Sequence, residues 1–209
     1  METQKIALFG ATSKAGQRIL NEALSRGHRV TVFVSDPKKI PTSHSNLKVV
    51  KGDVFDFTKN DITAHLKGHN IVISAYETMT NPRDHVIATR TLIEGVKGAN
   101  VRHLIVFGHP GSDEREPEAA IPGNPEGWKE VAKAQQEAIA AFKKERTFHW
   151  GYAHYPEITD EFGKSGKPSL GNEMTLITPE GDHKFSVEKS AGSLLYEAER
   201  LVEEHTDIE

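Results

Sequence analysis

Short apolar runs alternate with amphipathic stretches along most of the chain. Lys5-Ile-Ala-Leu-Phe9 ends at Gly10, and beyond it Ala15, Ile19, Ala23 and Leu24 recur at helical spacing. This pattern predicts a strand, a turn and a helix. Arg26-Gly27-His28 stops the helix, and Val30-Thr-Val-Phe-Val34 is a β-branched run ended by Ser35-Asp36-Pro37. Together these segments make a βαβ unit.

The alternation continues. Leu47-Lys-Val-Val50 and Asn70-Ile-Val-Ile-Ser-Ala75 read as strands on either side of a polar helix from Thr58 to Leu66. A helix carrying Val86, Leu92, Ile93 and Val96 comes next, then the strand His103-Leu-Ile-Val-Phe107. Strands that are apolar almost throughout suit a parallel sheet covered on both faces. Further on lie a helix with Val131, Ala134, Ala138, Ile139 and Phe142, a strand Phe148-His-Trp-Gly-Tyr152, and a late strand Met174-Thr-Leu-Ile-Thr178. Pro179-Glu-Gly181 turns the chain, and Ser186 is positioned to cap a last helix whose Val187, Ala191, Leu195, Ala198 and Val202 face inward. The expected fold class is α/β, a doubly wound, mainly parallel sheet with helices on both faces, in a single domain over 1–209.

Two irregular stretches interrupt this order, at about 109–127, with prolines at 110, 117, 122 and 125, and at about 154–173. Connections this long are uncommon in compact domains and frequently act as lids or binding loops. Both follow predicted strand ends and are expected on the substrate side, the first of them either as an active-site lid or as an inert excursion.

Composition narrows the function. A chain of 209 residues buries roughly 70% of its unfolded surface, enough for one large core. It has no cysteine, which removes thiol nucleophiles, zinc ribbons, iron–sulfur centres and dithiol redox chemistry. Thirty acidic and 26 basic side chains leave a formal charge of −4, the wrong sign for a nucleic-acid partner. No apolar run approaches the length of a membrane span, and Met1-Glu-Thr-Gln-Lys-Ile6 has none of the features of a secretory leader. A cytoplasmic protein handling small molecules is the expectation, with a homodimer left open.

The most informative segment is Gly10-Ala-Thr-Ser-Lys-Ala-Gly16, where the first strand meets the first helix. Gly10 permits a sharp turn, Gly16 permits close approach of the helix, and free helix N-terminal amides would face an anion there. Five residues separate the glycines and Gln17 follows, so the spacing is not that of a mononucleotide P-loop. A dinucleotide pyrophosphate fits better, because a reversal of strand order at this point would open a crevice.

Taken together, Gly10-Ala-Thr-x-x-x-Gly16, Gly27-His28-x-Val-Thr-x-x-Val34, Lys51-Gly-Asp-Val54 and Gly68-x-Asn-Ile-Val-Ile-Ser-Ala75 resemble the NmrA-like, atypical short-chain dehydrogenase/reductase group, with its NAD(P)-binding Rossmann fold. From Trp150 to Glu197 the chain is most similar to the NADH-flavin reductases of that group. The resemblance implies that Gly10, Thr12, Ser13, Lys14, Ala15 and Gly16 surround the pyrophosphate and that Asp53 and Val54 meet the adenine. It places Ser74 and Ala75 beside the cofactor, and Phe107 and Gly108 by the nicotinamide. Asp53 has a second reading as a turn-forming acid.

Two positions depart from the group. Ser13 stands where glycine is usual, so the turn must avoid positive φ there or tolerate it at some cost, while the hydroxyl becomes available to a phosphate. Ser35 stands where relatives carry an arginine for the 2′-phosphate of NADPH. Asp36 lies at the distance of an acid that binds the ribose of NAD, one residue late, while Lys38 and Lys39 supply charge. Either NADP(H) or NAD(H) is implied, with a lean to NADP(H).

No tyrosine has the Tyr-x-x-x-Lys spacing of classical short-chain dehydrogenases: the residues four beyond Tyr76, Tyr152, Tyr155 and Tyr196 are Thr80, Pro156, Thr159 and Arg200. Hydride transfer to a flavin or quinone needs less, since the protein has chiefly to stack two rings and exclude competing reactions. His109 beside Pro110, and His154, are candidate substrate contacts, while Tyr152 and Tyr155 read either as a stacking wall or as core. No metal-ligand spacing occurs among the 11 histidines. The leading expectation is an NAD(P)H-dependent reductase of a flavin, quinone or similar planar acceptor. A non-catalytic NAD(P)-sensing regulator of NmrA type is the alternative, and a dehydratase or epimerase a third.

Overall fold

The computed structural model describes residues 3–76, 81–107, 125–154, 173–178, 181–186 and 195. Their elements run in the order β1 (Lys5–Phe9), α1 (Lys14–Ser25), β2 (Arg29–Val34), a 3-10 turn (Pro37–Lys39), β3 (Leu47–Lys51), α2 (Lys59–Leu66) and β4 (Ile71–Ser74). After these come α3 (Pro82–Ala99), β5 (His103–Phe107), α4 (Pro125–Phe142), β6 (His149–His154), β7 (Glu173–Thr178) and β8 (Gly181–Ser186).

The strands form one eight-stranded sheet in the order β3-β2-β1-β4-β5-β6-β7-β8. From β3 to β6 every pairing is parallel, while β7 and β8 are antiparallel to their neighbours. The chain moves outward from β1 through β2 to β3, then returns to the other side of β1 with β4. The order therefore reverses between β1 and β4, at the carboxyl ends of which α/β folds place their ligands.

Side-chain alternation sorts the core into two layers. Ile6, Leu8, Val32 and Ile73 face α1, whose Ala15, Ile19, Ala23 and Leu24 are buried as the periodicity requires. Ala7, Phe9, Val72 and Val106 face the other way, onto α2, α3 and α4, where Ile62, Leu92, Val96 and Phe142 complete the second layer. All five residues of β5 and all four of β4 are buried, the signature of strands covered on both faces.

β8 departs from expectation: the segment around Phe185 pairs with β7 as a hairpin strand, where the sequence suggested a turn leading straight to a helix. Asp182-His-Lys184 carries no apolar alternation, so only the partner strand makes it β. Of the expected last helix, Leu195 is described; it is helical and fully buried against the α1 layer. The two expected loops lie almost wholly outside the described residues, and no described helix is long and apolar enough to cross a membrane.

Candidate functional site

Gly10 leaves β1 with φ +74, a conformation that glycine adopts without steric cost. A Cβ there would stand 2.3 Å from the carbonyl oxygen of Ala75, so the turn is pressed against the end of β4. Gly16 is constrained from the other side: its Cβ would meet the Gly10 carbonyl oxygen at 2.0 Å and Ala11 Cα at 2.9 Å. The close approach that Gly16 permits is thus between the first turn of α1 and the turn itself.

Ser13 is the N-cap of α1, with φ −71 and ψ 162. The residue that replaces the usual glycine therefore avoids positive φ. Its Oγ accepts from the Gly16 amide at 2.9 Å and donates to the Ala75 carbonyl at 3.0 Å. Its single proton is thus directed to Ala75. The hydroxyl fastens the start of α1 to the end of β4. Backbone amides of the first helical turn remain the groups suited to an anion, supported by the positive end of α1.

Next to this turn is a cleft of about 300 Å³. Gly10, Thr12 and Ser13 form one side, Val34 and Ser35 at the end of β2 another, and Gly52, Asp53 and Val54 after β3 a third, with Tyr76 after β4. Gly52 is tied to β2 by its amide, which donates to the Val34 carbonyl at 2.9 Å. Phe9 and Phe33 floor the cleft as a stacked pair, with centroids 4.8 Å apart.

Asp53 forms a turn and lines the cleft. One carboxylate oxygen accepts from the Phe55 amide at 3.2 Å, and its carbonyl accepts from Asp56, so the residue builds the turn; it also lines the cleft. Tyr76 was not singled out by the sequence. Its ring meets Phe55 edge-on at 5.1 Å, and burial, followed by the carboxylates of Asp53 and Asp84, pushes its pKa above that of a free phenol. Around neutral pH it is a neutral phenol beside Asp53. Its position directly after Ser74 and Ala75, at the end of β4, was the signal that could have identified it.

The other expected residues divide. Lys14 is exposed at the start of α1, while Ala15 is buried beside Gly16. Ser74 and Ala75 are buried, the latter accepting from Ser13 and donating its amide to Phe9. Phe107 is buried in the α1 layer at the end of β5. Asp36 and Lys39 are not in the cleft lining: Asp36 caps the 3-10 turn by accepting from the Lys38 amide at 3.1 Å, and Lys39 ends that turn, exposed.

Tyr152, expected at an acceptor or in the core, is in the core. Its hydroxyl lies 2.7 Å from His85 Nε2 on α3 and donates to Gln135 Oε1 on α4 at 3.3 Å. Because the phenol has one proton and gives it to Gln135, His85 must donate through Nε2. Gly108, His109, Pro110 and Tyr155 lie outside the described residues, as does the side chain of His154, the last residue of β6. Among the described residues no group of three or more metal-ligating side chains occurs.

Comparison with known proteins agrees with this fold. The model of the NAD(P)H-binding family matches residues 10–184. YwnB of Bacillus subtilis is 30% identical over 202 residues, spanning 93% of this chain and 92% of its own. Among solved structures, a protein of Burkholderia pseudomallei provisionally named as exported is 29% identical with a TM-score of 0.69, covering 95% of this chain and 94% of its own. A protein of Bacteroides thetaiotaomicron provisionally named an epimerase is 27% identical with a TM-score of 0.67, covering 95% and 92%.

Proposed function

Since this chain belongs to the NAD(P)H-binding family, we propose that it is an NAD(P)H-dependent oxidoreductase that passes hydride to a flavin, quinone or similar planar acceptor. The observation that carries the proposal is the cleft at the β1/β4 reversal, built from a glycine turn at one end and Ser35, Asp53 and Val54 at the other. Bound there, the dinucleotide would supply the hydride.

In this reading the first-turn amides of α1 hold the pyrophosphate, with Thr12 and Lys14 beside it. Asp53 and Val54 receive the adenine, and Tyr76 presents a neutral phenol to the same cleft. The carboxyl ends of β4, β5 and β6 would lead from the cleft toward the reacting rings, with Phe107 and Gly108 assigned to the nicotinamide and His109, Pro110, His154 and Tyr155 to the acceptor. The lack of Tyr-x-x-x-Lys supports an acceptor that can take its proton from water over a carbonyl that needs a paired acid. A cytoplasmic location, where reduced nicotinamides are available, belongs to the same proposal.

The test is oxidation of NADPH and NADH by the purified protein with FMN, riboflavin and quinones. Turnover with at least one acceptor is expected. Saturable cofactor binding without turnover would overturn the oxidoreductase reading in favour of an NAD(P)-sensing regulator.

The lean to NADP(H) rests on Ser35 lining the cleft while the Asp36 carboxylate is turned to its own 3-10 turn. Ser35→Arg is expected to tighten NADPH binding about tenfold and leave NADH unchanged, as one charge-assisted contact to the 2′-phosphate would. Calorimetry with the two reduced cofactors measures this. Equal effects on both would move the 2′-phosphate away from Ser35.

A further inference from the structure

At the end of the sheet opposite the glycine turn, three neighbouring strands carry positive charge in their first two residues. Lys5 opens β1 and pairs with Arg29, which opens β2, and Lys48 in β3 pairs with Thr31. Since Ala7 faces the α2 layer, alternation and register put Lys5, Arg29, Thr31 and Lys48 on that same face. Above them α2 ends, and Lys67-Gly68-His69 turn toward β4.

The result is a cleft of about 550 Å³, the size of a small-molecule site. Lys5, Arg29, Lys48, Lys67 and His69 line it, Ser45 and Asn46 add neutral donors, and among the described residues no carboxylate lines it. Among the described residues these four cations make no ion pair, whereas Arg26, Lys59, Arg90 and Lys97 each sit on a glutamate. In a chain of net charge −4, gathering unpaired cations in one concavity works against stability unless an anion joins them.

His69 gives the cleft a polarisable wall. Its Nδ1 lies 3.1 Å from the Leu66 carbonyl oxygen, which can only accept, so Nδ1 carries the proton and Nε2 accepts from the Thr31 hydroxyl at 3.1 Å. The ring is neutral and half-buried; burial, and after it the Lys48 and Lys5 ammonium groups, hold its pKa below the usual histidine value. The carbonyl end of α2 opposes an anion, but the Leu66 carbonyl is already taken by the His69 ring and the His69 amide.

We infer that this second cleft binds a small ligand carrying phosphate groups, held by Lys5, Arg29, Lys48 and Lys67 at the far end of the sheet from the nucleotide. The size of the cleft and the negative charge of the whole chain favour a small phosphorylated molecule over a nucleic acid.

The test is NMR titration of the His69 ring in the full chain with sodium pyrophosphate, the nucleotide cleft being filled beforehand with reduced cofactor. An anion in the cleft offsets the two ammonium groups, so the His69 pKa is expected to rise by about one unit, saturably. The double variant Lys5→Glu, Lys48→Glu should weaken pyrophosphate binding at least about tenfold while cofactor affinity stays unchanged. A rise reproduced by sodium chloride at the same ionic strength would reduce the effect to screening and overturn the inference, as would undiminished binding by the double variant. Sedimentation with phosphatidylglycerol vesicles distinguishes the source: protein that pellets takes the phosphate from a lipid headgroup, and protein that stays in solution but binds pyrophosphate takes it free.

Discussion

Gly16→Ala is expected to weaken NAD(P)H binding by at least about 100-fold, the loss of most of a pyrophosphate cradle. The added methyl would lie 2.0 Å from the Gly10 carbonyl oxygen, 2.8 Å from its carbon and 2.9 Å from Ala11 Cα, and all three are backbone. No side chain can move aside, so the turn must open, and with it the array of amides that would face a bound pyrophosphate. Forced overpacking costs about 1–3 kcal/mol. For a domain of this size that lowers the melting temperature by about 2–12 °C.

Gly27→Ala is the control. Gly27 has φ +83 but nothing within 4 Å of an added Cβ, so this variant costs about 1 kcal/mol of backbone strain and leaves binding intact. Calorimetric titration of both variants checks the pair. Wild-type affinity in Gly16→Ala would remove the glycine turn from the cofactor site.

Tyr152→Phe should cost about 3 kcal/mol of folding stability while hardly altering cofactor affinity. The phenol is fully buried, and its loss strands two groups together, the Nε2 donor of His85 and the Oε1 acceptor of Gln135. His85 and Gln135 are buried too, so water cannot readily take over. Adding His85→Leu should recover part of the loss, because removing both partners costs less than stranding one. Urea unfolding of the single and double variants reads this. A Tyr152→Phe protein as stable as the wild type would mean that the buried network contributes nothing.

Much of this fold was legible one segment at a time. Lys5–Phe9 and His103–Phe107 are strands with the bounds their apolar runs suggest, and Ala15, Ile19, Ala23 and Leu24 share the buried face of α1. Thr58 caps α2 through a reciprocal pair with Asp61, a start signal readable from the sequence. β8 was not legible, because a polar edge strand has no period of its own. The candidate site was legible in the same uneven way. Gly10, Thr12, Ser13, Ser35, Asp53 and Val54 meet in one cleft, while Lys39 sits on a separate turn and Tyr76 went unnoticed.

Ser13 illustrates the limit. Its type and position promised a hydroxyl near a phosphate, but whether that proton points outward or to Ala75 depends on a residue 62 positions away. The basic cleft has the same origin. Lys5, Arg29, Lys48 and Lys67 are unremarkable separately and become a group because parallel pairing aligns the strand starts.

By itself, then, the sequence determined the succession of strands and helices, the glycine turn between the first two, and the lack of cysteine and of Tyr-x-x-x-Lys. These are properties of contiguous segments, set by local periodicity and by which residues tolerate a given backbone. Tertiary structure decided what surrounds each end of the sheet. Placing β1 between β2 and β4 draws residues near positions 10, 35, 53 and 76 into one cleft and the cations at 5, 29, 48 and 67 into another. Those juxtapositions follow from strand order and register, which no single stretch of the chain contains.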